Sequence, residues 1–274
     1  MDRMQKVHFI SGLPRSGSTL LAGILRQNPD FYAAMSSPVA SLMNGCLEQM
    51  GAGSEFFTFF NEQKRKDICR ALFTTYYQEE ADKQVIFDTN RIWTARLHQL
   101  TELYDDFKVI CCVRNPAWVM DSFETIYRKN PFDYSRIYNP QSRQTVYSRC
   151  ESMISASGTV GSAWTALKEA YYGEYSDRLL LVDYDLLTQH PVKTLELLYQ
   201  FIGEPMYDHD FNSVDYEANE FDQNLGAKGL HQVKKKVEFK SRRSILPPEL
   251  FQKYSDMAFW QDTAGTSASI ISTK

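Results

Sequence analysis

Several features that would place this chain in a specialised class of protein are missing from its sequence. Its five cysteines include no C-x-x-C pair, which argues against a disulfide scaffold and favours buried free thiols in a reducing compartment. No apolar run reaches membrane-spanning length, and the first residues lack the apolar core of a secretion signal. The net charge of −4 provides no general basic field for nucleic acid. We expect a cytoplasmic protein with no membrane span and no nucleic-acid partner.

The composition is that of a globular domain. Apolar residues make up 43% of the chain and aromatic residues 14%, enough for a substantial core. An α/β fold of 274 residues commonly remains one unit, and no repeat or low-complexity tract divides this one. We predict a single domain over 1–274.

Short apolar runs alternate with helical patterns along most of the chain. The runs cover 7–11, 83–88, 107–113 and 179–183, and each is followed by apolar residues at helical spacing. Such β-α units in series predict an α/β fold with a mostly parallel central sheet flanked by helices. Because ligands bind at the carboxyl ends of parallel strands, the residues just after these runs are the candidate site.

Loops and helices are also predicted for the segments between the strands. A loop with the composition of a lid is expected over 129–143, and a basic segment over 225–245. Helices are predicted over 18–27, most of 36–80 with a break at 51–54, 93–104, 116–127, 144–172 with Gly158 and Gly161 placed to interrupt it, 184–190 and 191–202.

The stretch SGLPRSGSTLL, residues 11–21, connects the first predicted strand to the first predicted helix. Gly12, Gly17 and Thr19 match the spacing of a nucleoside-triphosphate loop, but Ser18 stands where that loop has its lysine. A loop in this position presents backbone N–H groups and the positive end of the helix dipole to an anion. The candidate anion-binding residues are Pro14, Arg15, Ser16, Gly17, Ser18 and Thr19, with the Arg15 guanidinium able to grip two oxygens.

A second motif, CVRNPAWVMDSF, follows the third predicted strand. Arg114 comes directly after the strand, and Ser122 lies about two turns into the helix that Pro116 begins. That spacing places Ser122 on the same side as the strand end, where one phosphate would contact both residues. Taken alone, the pair also fits an arginine that caps a helix and an inert serine.

Together the two motifs resemble those of the sulfotransferases that use 3′-phosphoadenosine 5′-phosphosulfate (PAPS). The Pro-Arg-Ser-Gly form of the loop is similar to that of tyrosylprotein sulfotransferases and related bacterial enzymes. The resemblance covers about 5–27, 85–128 and 178–205, the last including LLLVDYDLLTQHP. It implies a P-loop-like fold, PAPS as co-substrate and 3′,5′-adenosine bisphosphate (PAP) as product.

The resemblance also implies roles for single residues. In the family the first loop binds the 5′-phosphosulfate, which here gives Arg15 a catalytic role on the sulfuryl oxygens. The Arg and Ser of the second motif bind the 3′-phosphate, a role that falls on Arg114 and Ser122. Tyr184, after the fourth strand, would contact the adenosine or else pack in the core. Lys228 is a candidate phosphate contact, or part of a solvated face.

The proton acceptor departs from the family's pattern. The tyrosylprotein enzymes have a glutamate after the first helix, but no acid lies between Asp30 and Glu48 here. The cytosolic enzymes have Lys-Thr-His after the second strand, where this chain reads DTNR. Asp88 is therefore the predicted base and Arg91 a candidate sulfate contact. The alternative for Asp88 is to cap the helix that begins near Ile92.

These observations predict transfer of a sulfuryl group from PAPS to a hydroxyl or amine of an acceptor that is a small molecule, a glycan or a peptide. No metal site is expected. Two alternatives stay open: a P-loop kinase of a small metabolite, against which Ser18 argues, and a non-catalytic 3′-phosphonucleotide-binding protein that has lost its base. The aromatic segments SEFFTFF and FDYSRIYNP would line an acceptor pocket or pack in the core.

Overall fold

A central parallel sheet organises the structure. The computed structural model describes residues 5–130, 132, 138, 140–216 and 218–271, and all statements below refer to them. The sheet has the order β2-β3-β1-β4-β5-β6, and every pair of neighbours is parallel. The strands are β1 (Lys6–Gly12), β2 (Phe31–Ala33), β3 (Val85–Thr89), β4 (Val109–Val113), β5 (Leu179–Asp183) and β6 (Ser269–Ile271). The predicted α/β fold with a parallel sheet is confirmed.

Helices connect the strands and cover both faces of the sheet. They are α1 (Ser18–Leu25), α2 (Val39–Gln49), α3 (Glu62–Tyr76), α4 (Leu97–Leu103), α5 (Pro116–Lys129), α6 (Val146–Ile154), α7 (Gly161–Tyr172), α8 (Tyr184–Gln189), α9 (Pro191–Ile202), α10 (Asn219–Asn224) and α11 (Pro248–Ser255). Side chains of α2, α3, α4 and α7 pack on one face of the sheet, and those of α1, α8 and α9 on the other.

The sequence prediction missed the two edge strands, β2 and β6. Each has three residues, too few to establish a period of two against the surrounding sequence. The first half of the helix predicted over 93–104 is a 3-10 helix, Arg91–Arg96. Much of the loop expected over 129–143, and with it most of FDYSRIYNP, lies outside the described residues.

The helix predicted over 144–172 is divided into α6 and α7. A Cβ on Gly158 would lie 2.3 Å from the carbonyl oxygen of Ser152, and one on Gly161 would lie 2.1 Å from that of Ser155. Only glycine fits at these two positions, because the chain folds back against the end of α6. The interruption that the glycines predicted is therefore present, and its cause is this close approach.

The central strands are buried on both faces. Cys111 and Cys112 of β4 are completely buried and free, and their side chains enter the cores on opposite faces of the sheet. Burial raises the pKa of Cys112 to about 12, which keeps this thiol protonated. Within the described part of the chain, no helix is both long and apolar enough to span a bilayer.

Candidate active site

The predicted site residues gather at the carboxyl edge of the sheet. The loop 13–17 follows β1, Asp88 lies near the end of β3, Arg114 follows β4 and Tyr184 follows β5. Since these strands are parallel neighbours, their carboxyl ends lie at one edge.

Two glycines bring the loop close to the neighbouring strands. Gly12 has φ +104°, and a Cβ there would lie 2.2 Å from the carbonyl oxygen of Cys112 on β4. Gly17 has φ +92°, and a Cβ there would lie 2.7 Å from the ring of Tyr184. Any larger residue at either position would force the loop away from β4 or displace the tyrosine.

Arg15 is held in an unusual conformation between them. Its φ is +61°, a left-handed backbone that costs a non-glycine residue about 1–2 kcal/mol. Its Nε donates a hydrogen bond of 3.0 Å to Ser122 Oγ on α5. The other two guanidinium nitrogens make no hydrogen bond within the described residues and so remain available for an anion. Burial lowers the pKa of Arg15 to about 10, which still leaves the side chain charged at neutral pH.

The loop and the start of α1 offer several unused donors. The backbone amides of Arg15, Ser16 and Gly17 have no partner in the described structure, and no side chain caps α1. The hydroxyls of Ser18 and Thr19 are likewise unpaired there and half-buried. Ser16 Oγ donates to the carbonyl of Pro14 at 3.4 Å. Free amides at a helix N-terminus beside a guanidinium form a site for an anion.

Among the described residues, the buried Nε of Arg114 has no hydrogen-bond partner. Its side chain is 14% exposed, and Nε lies 3.7 Å from Asp185 Oδ1, too far for a hydrogen bond. The guanidinium stacks over the rings of Tyr184 at 4.3 Å and Trp118 at 6.0 Å. Burial lowers the pKa of Arg114, a sign that the cation has lost water without full compensation.

Ser122 lies at this edge as expected, but its hydrogen-bond partner is Arg15 rather than Arg114. Because the hydroxyl accepts from Arg15, its own proton is free to donate to an anion bound at the site. One serine can therefore connect the loop after β1 with the phosphate site expected near Arg114.

Arg242, from the predicted basic segment, lies close to Arg114. Its guanidinium pairs with the carboxylate of Asp121 and stacks on the Trp118 ring at 4.8 Å, and its charge acts on Arg114. Asp121 is completely buried on α5. The sequence analysis did not single out Arg242, because its buried partner Asp121 lies far away in the sequence.

Asp88 is completely enclosed. Its Oδ2 accepts hydrogen bonds of 2.7 Å from both Ser37 Oγ and Tyr77 OH, and its Oδ1 accepts one of 2.8 Å from Trp93 Nε1. Burial raises the pKa of Asp88 even though all three donors favour the carboxylate. The alternative, that Asp88 caps the following helix, is wrong, because Asn90 Oδ1 accepts the cap bond. The role of base stays a prediction.

Arg91 and Lys228 are both exposed, and neither side chain makes a hydrogen bond or ion pair within the described residues. Arg91 is nevertheless surrounded by enough protein to lower its pKa by desolvation, as expected on the wall of a cleft. Lys228 stays a candidate phosphate contact.

A His-Asp pair completes the site. His231 Nδ1 lies 2.5 Å from Asp222 Oδ1, and the backbone N–H of His231 donates to Asp222 Oδ2 at 2.8 Å. The charges of Arg15 and Arg91 both act on His231. The sequence does not reveal this pair, because the contact between Asp222 and His231 forms only in the folded chain.

The chain is similar to known proteins in sequence family and in fold. The model of a sulfotransferase family matches residues 8–209. The sulfotransferase domain of the Synechococcus PCC 7002 olefin synthase is 17% identical, with 93% of this chain and 96% of that chain covered at a TM-score of 0.50. The sulfotransferase domain from the curacin biosynthetic pathway is also 17% identical, with 93% and 92% covered at a TM-score of 0.52. These two likenesses show a shared fold.

No curated protein matches the chain by sequence. The family match spans most of the chain, including the loop after β1, the motif after β4 and the strand β5. It favours sulfuryl transfer over the two alternatives, a metabolite kinase and a non-catalytic nucleotide-binding protein. The chain belongs to the sulfotransferase family and is an enzyme of sulfuryl transfer.

Proposed function

We propose that this sulfotransferase takes its sulfuryl group from PAPS and transfers it to a hydroxyl or amine. The observation that carries the proposal is Arg114, a buried guanidinium whose Nε has no hydrogen-bond partner among the described residues. Buried polar groups in folded proteins are nearly always paired, so an anion is the expected partner. The neighbouring cation Arg242 and the hydroxyl of Ser122 suit the 3′-phosphate of this nucleotide.

The loop after β1 suits the other end of the molecule. Among the described residues, this loop and the start of α1 carry free amides, unpaired hydroxyls and two guanidinium nitrogens of Arg15 without a partner, a set of donors that supports an anion site. A sulfuryl group carries less negative charge than a terminal phosphate. An arginine and backbone dipoles can therefore replace the lysine and Mg²⁺ of a nucleoside-triphosphate loop.

The reaction then depends on position and charge. The acceptor oxygen or nitrogen attacks sulfur, and the bond from sulfur to the 5′-phosphate oxygen breaks, leaving its electrons on that phosphate. Arg15 stabilises the negative charge that grows on the bridging oxygen, and the amides of the loop hold the phosphate in line. Tyr184 lies close to both Gly17 and the Arg114 guanidinium, and these contacts support a role for its ring in binding the adenosine.

Isothermal titration calorimetry with PAP tests the proposal. PAP should bind the wild-type protein without metal, and Arg114→Ala should weaken binding by about tenfold or more, since a charge-assisted contact is lost. Arg178→Ala is the matched control, because Arg178 precedes β5 at the opposite edge of the same sheet and should bind PAP as the wild type does. Tighter binding of ATP with Mg²⁺, or binding of neither nucleotide, would contradict the proposal.

A further inference from the structure

His231 and Asp222 form a pair in which one ring nitrogen is fixed and the other is left over. An ionised carboxylate can only accept, so the 2.5 Å contact requires the proton on Nδ1 of a neutral His231. Nε2 then carries a lone pair and makes no hydrogen bond within the described residues. Asp222 also accepts the backbone N–H of His231, which fixes the position of the ring relative to the carboxylate.

The pair is partly exposed and lies near two arginines of the candidate site. The side chain of Asp222 is 3% exposed and that of His231 20%, so the acid is enclosed and the base reaches solvent. The charges of Arg15 and Arg91 act on His231, and the charge of Asp222 acts on Arg15. Because Arg15 is the residue expected to contact the transferred group, its proximity makes His231 a candidate to face the acceptor.

We propose that His231 is the general base that removes the acceptor's proton, with Asp222 as the positioning residue that fixes its orientation and tautomer. The inference deepens the proposed function and rests on it. As the new bond from acceptor oxygen to sulfur forms, the acceptor's proton moves to Nε2 of His231. The bond from sulfur to the 5′-phosphate breaks at the same time, and the proton later passes from His231 to water.

Asp88 is less suited to this task. It is completely buried, and its two oxygens already accept hydrogen bonds from Ser37, Tyr77 and Trp93. An acceptor in solution cannot reach either oxygen, because Asp88 has no exposed surface. With His231 as base, Asp88 supports the segment that carries Arg91, because it holds the indole of Trp93 in the same 3-10 helix.

The surroundings of His231 suit a base at neutral pH. Burial lowers its pKa, the cations Arg15 and Arg91 lower it further, and Asp222 opposes them. The imidazole is therefore neutral at pH 7 and able to accept a proton. The two buried histidines, His8 and His209, lie in the core rather than at the carboxyl edge of the sheet.

Nitrogen-15 NMR of the histidine rings tests the inference without any acceptor. We expect His231 in the wild-type protein to be neutral at pH 7, with the proton on Nδ1 and a pKa below 6.5. Addition of PAP should raise this pKa, because the ligand brings negative charge beside the ring. His98, an exposed residue of α4, should not respond. A proton on Nε2, or a His231 signal that PAP leaves unchanged, would overturn the inference.

Kinetics supply a second test, in which PAPS is converted to PAP and sulfate with water as the acceptor. His231→Ala should lower the rate by about a hundredfold or more while PAP affinity stays unchanged. Asp222→Asn should cause a smaller loss and move the acid limb of the rate profile to lower pH, because the ring loses the carboxylate that favours its charged form. His98→Ala should behave as the wild type.

The two proposals fail separately. If the wild-type protein does not bind PAP, the PAPS proposal is wrong. If it binds PAP but His231→Ala keeps the wild-type rate, or Asp222→Asn leaves the acid limb unmoved, the nucleotide site stands and the assignment of the base is wrong.

Discussion

Arg15 and Ser122 are 107 positions apart in the sequence and are joined by a hydrogen bond of 3.0 Å from Nε to Oγ. The bond connects the loop after β1 to α5, and so joins the two motifs that the sequence presents separately. It uses one of the three guanidinium nitrogens of Arg15, and the other two have no partner among the described residues. The serine thus fixes the orientation of the arginine that is proposed to contact the sulfuryl group of PAPS.

Ser122→Ala should weaken PAP binding by roughly tenfold or more, because a hydrogen bond to a charged group contributes about 1.5–3 kcal/mol. Without its partner on α5, the Arg15 side chain loses its fixed orientation. The measurement is calorimetric titration with PAP. Thr125→Ala removes another hydroxyl from the same helix, one that contacts only the carbonyl of Asp121, and should leave binding unchanged. Equal affinities for Ser122→Ala and the wild type would show that the bond does not contribute to the site.

Two substitutions of Arg15 should differ in stability although both remove the guanidinium. With φ at +61°, glycine fits the backbone at this position better than any other residue. We expect Arg15→Gly to be more stable than Arg15→Ala by about 1 kcal/mol, although both variants lose the guanidinium that is proposed to contact the sulfuryl group. Urea unfolding of the two variants gives the comparison. If Arg15→Ala proves as stable as Arg15→Gly, the left-handed backbone at this position costs a residue with a Cβ no free energy of unfolding.

The sequence was most informative where function depends on local pattern. The strand β4, the glycine loop and Arg114 were all placed correctly, because each follows from a short run of residues and from the rule that parallel strands end at one edge. Arg15 was predicted to bind an anion for the same reason, and its role stays a prediction. Its positive φ was not foreseen, since arginine gives no sign of a left-handed backbone.

Contacts between distant segments could not be predicted from the sequence. Asp222 with His231, and Asp121 with Arg242, are pairs whose members come from polar stretches without period, and only the tertiary fold brings each pair to the site. Asp88 shows the opposite case. Its position at the end of β3 was right, but its burial and its three donors come from α2, α3 and the 3-10 helix or their flanking loops, and the sequence of β3 does not reveal them.

Asp88→Asn should change the pH dependence of stability. Burial raises the pKa of Asp88 in the folded protein above its ordinary value of 3.8, so the folded state binds this proton more tightly than the unfolded chain does. The contribution of Asp88 to the free energy of unfolding is then full below pH 3.8 and falls as the pH rises through the folded-state pKa. Asparagine does not titrate, so Asp88→Asn does not lose free energy of unfolding in this way as the pH rises.

Urea midpoints of the wild type and Asp88→Asn, measured from acid to neutral pH, test this expectation. The stability of the variant relative to the wild type should rise with pH, whatever constant difference the substitution introduces. Groups elsewhere titrate alike in both proteins and cancel in the difference. A difference that stays constant with pH, or shrinks, would mean that Asp88 has an ordinary or lowered pKa in the folded protein.

Asp121→Asn should release the segment that carries Arg242. Asp121 is completely buried and accepts from Ser244 Oγ at 2.8 Å and from the backbone of Ile245 at 2.7 Å, besides pairing with Arg242. The amide group cannot accept from all three donors, so we expect a loss of about 2 kcal/mol or more in the free energy of unfolding. PAP affinity should fall as well, because Arg242 no longer stands beside Arg114.

Trypsin digestion separates a local release from general destabilisation. In Asp121→Asn, cleavage after Lys240, Arg242 and Arg243 should become faster than in the wild type, and saturating PAP should slow it again if Arg242 binds the 3′-phosphate. Asp105→Asn, a change at an exposed acid before β4, should be cut as the wild type is. If PAP protects neither protein at these sites, Arg242 does not contact the nucleotide, and the carboxylate of Asp121 serves only to hold the chain against α5.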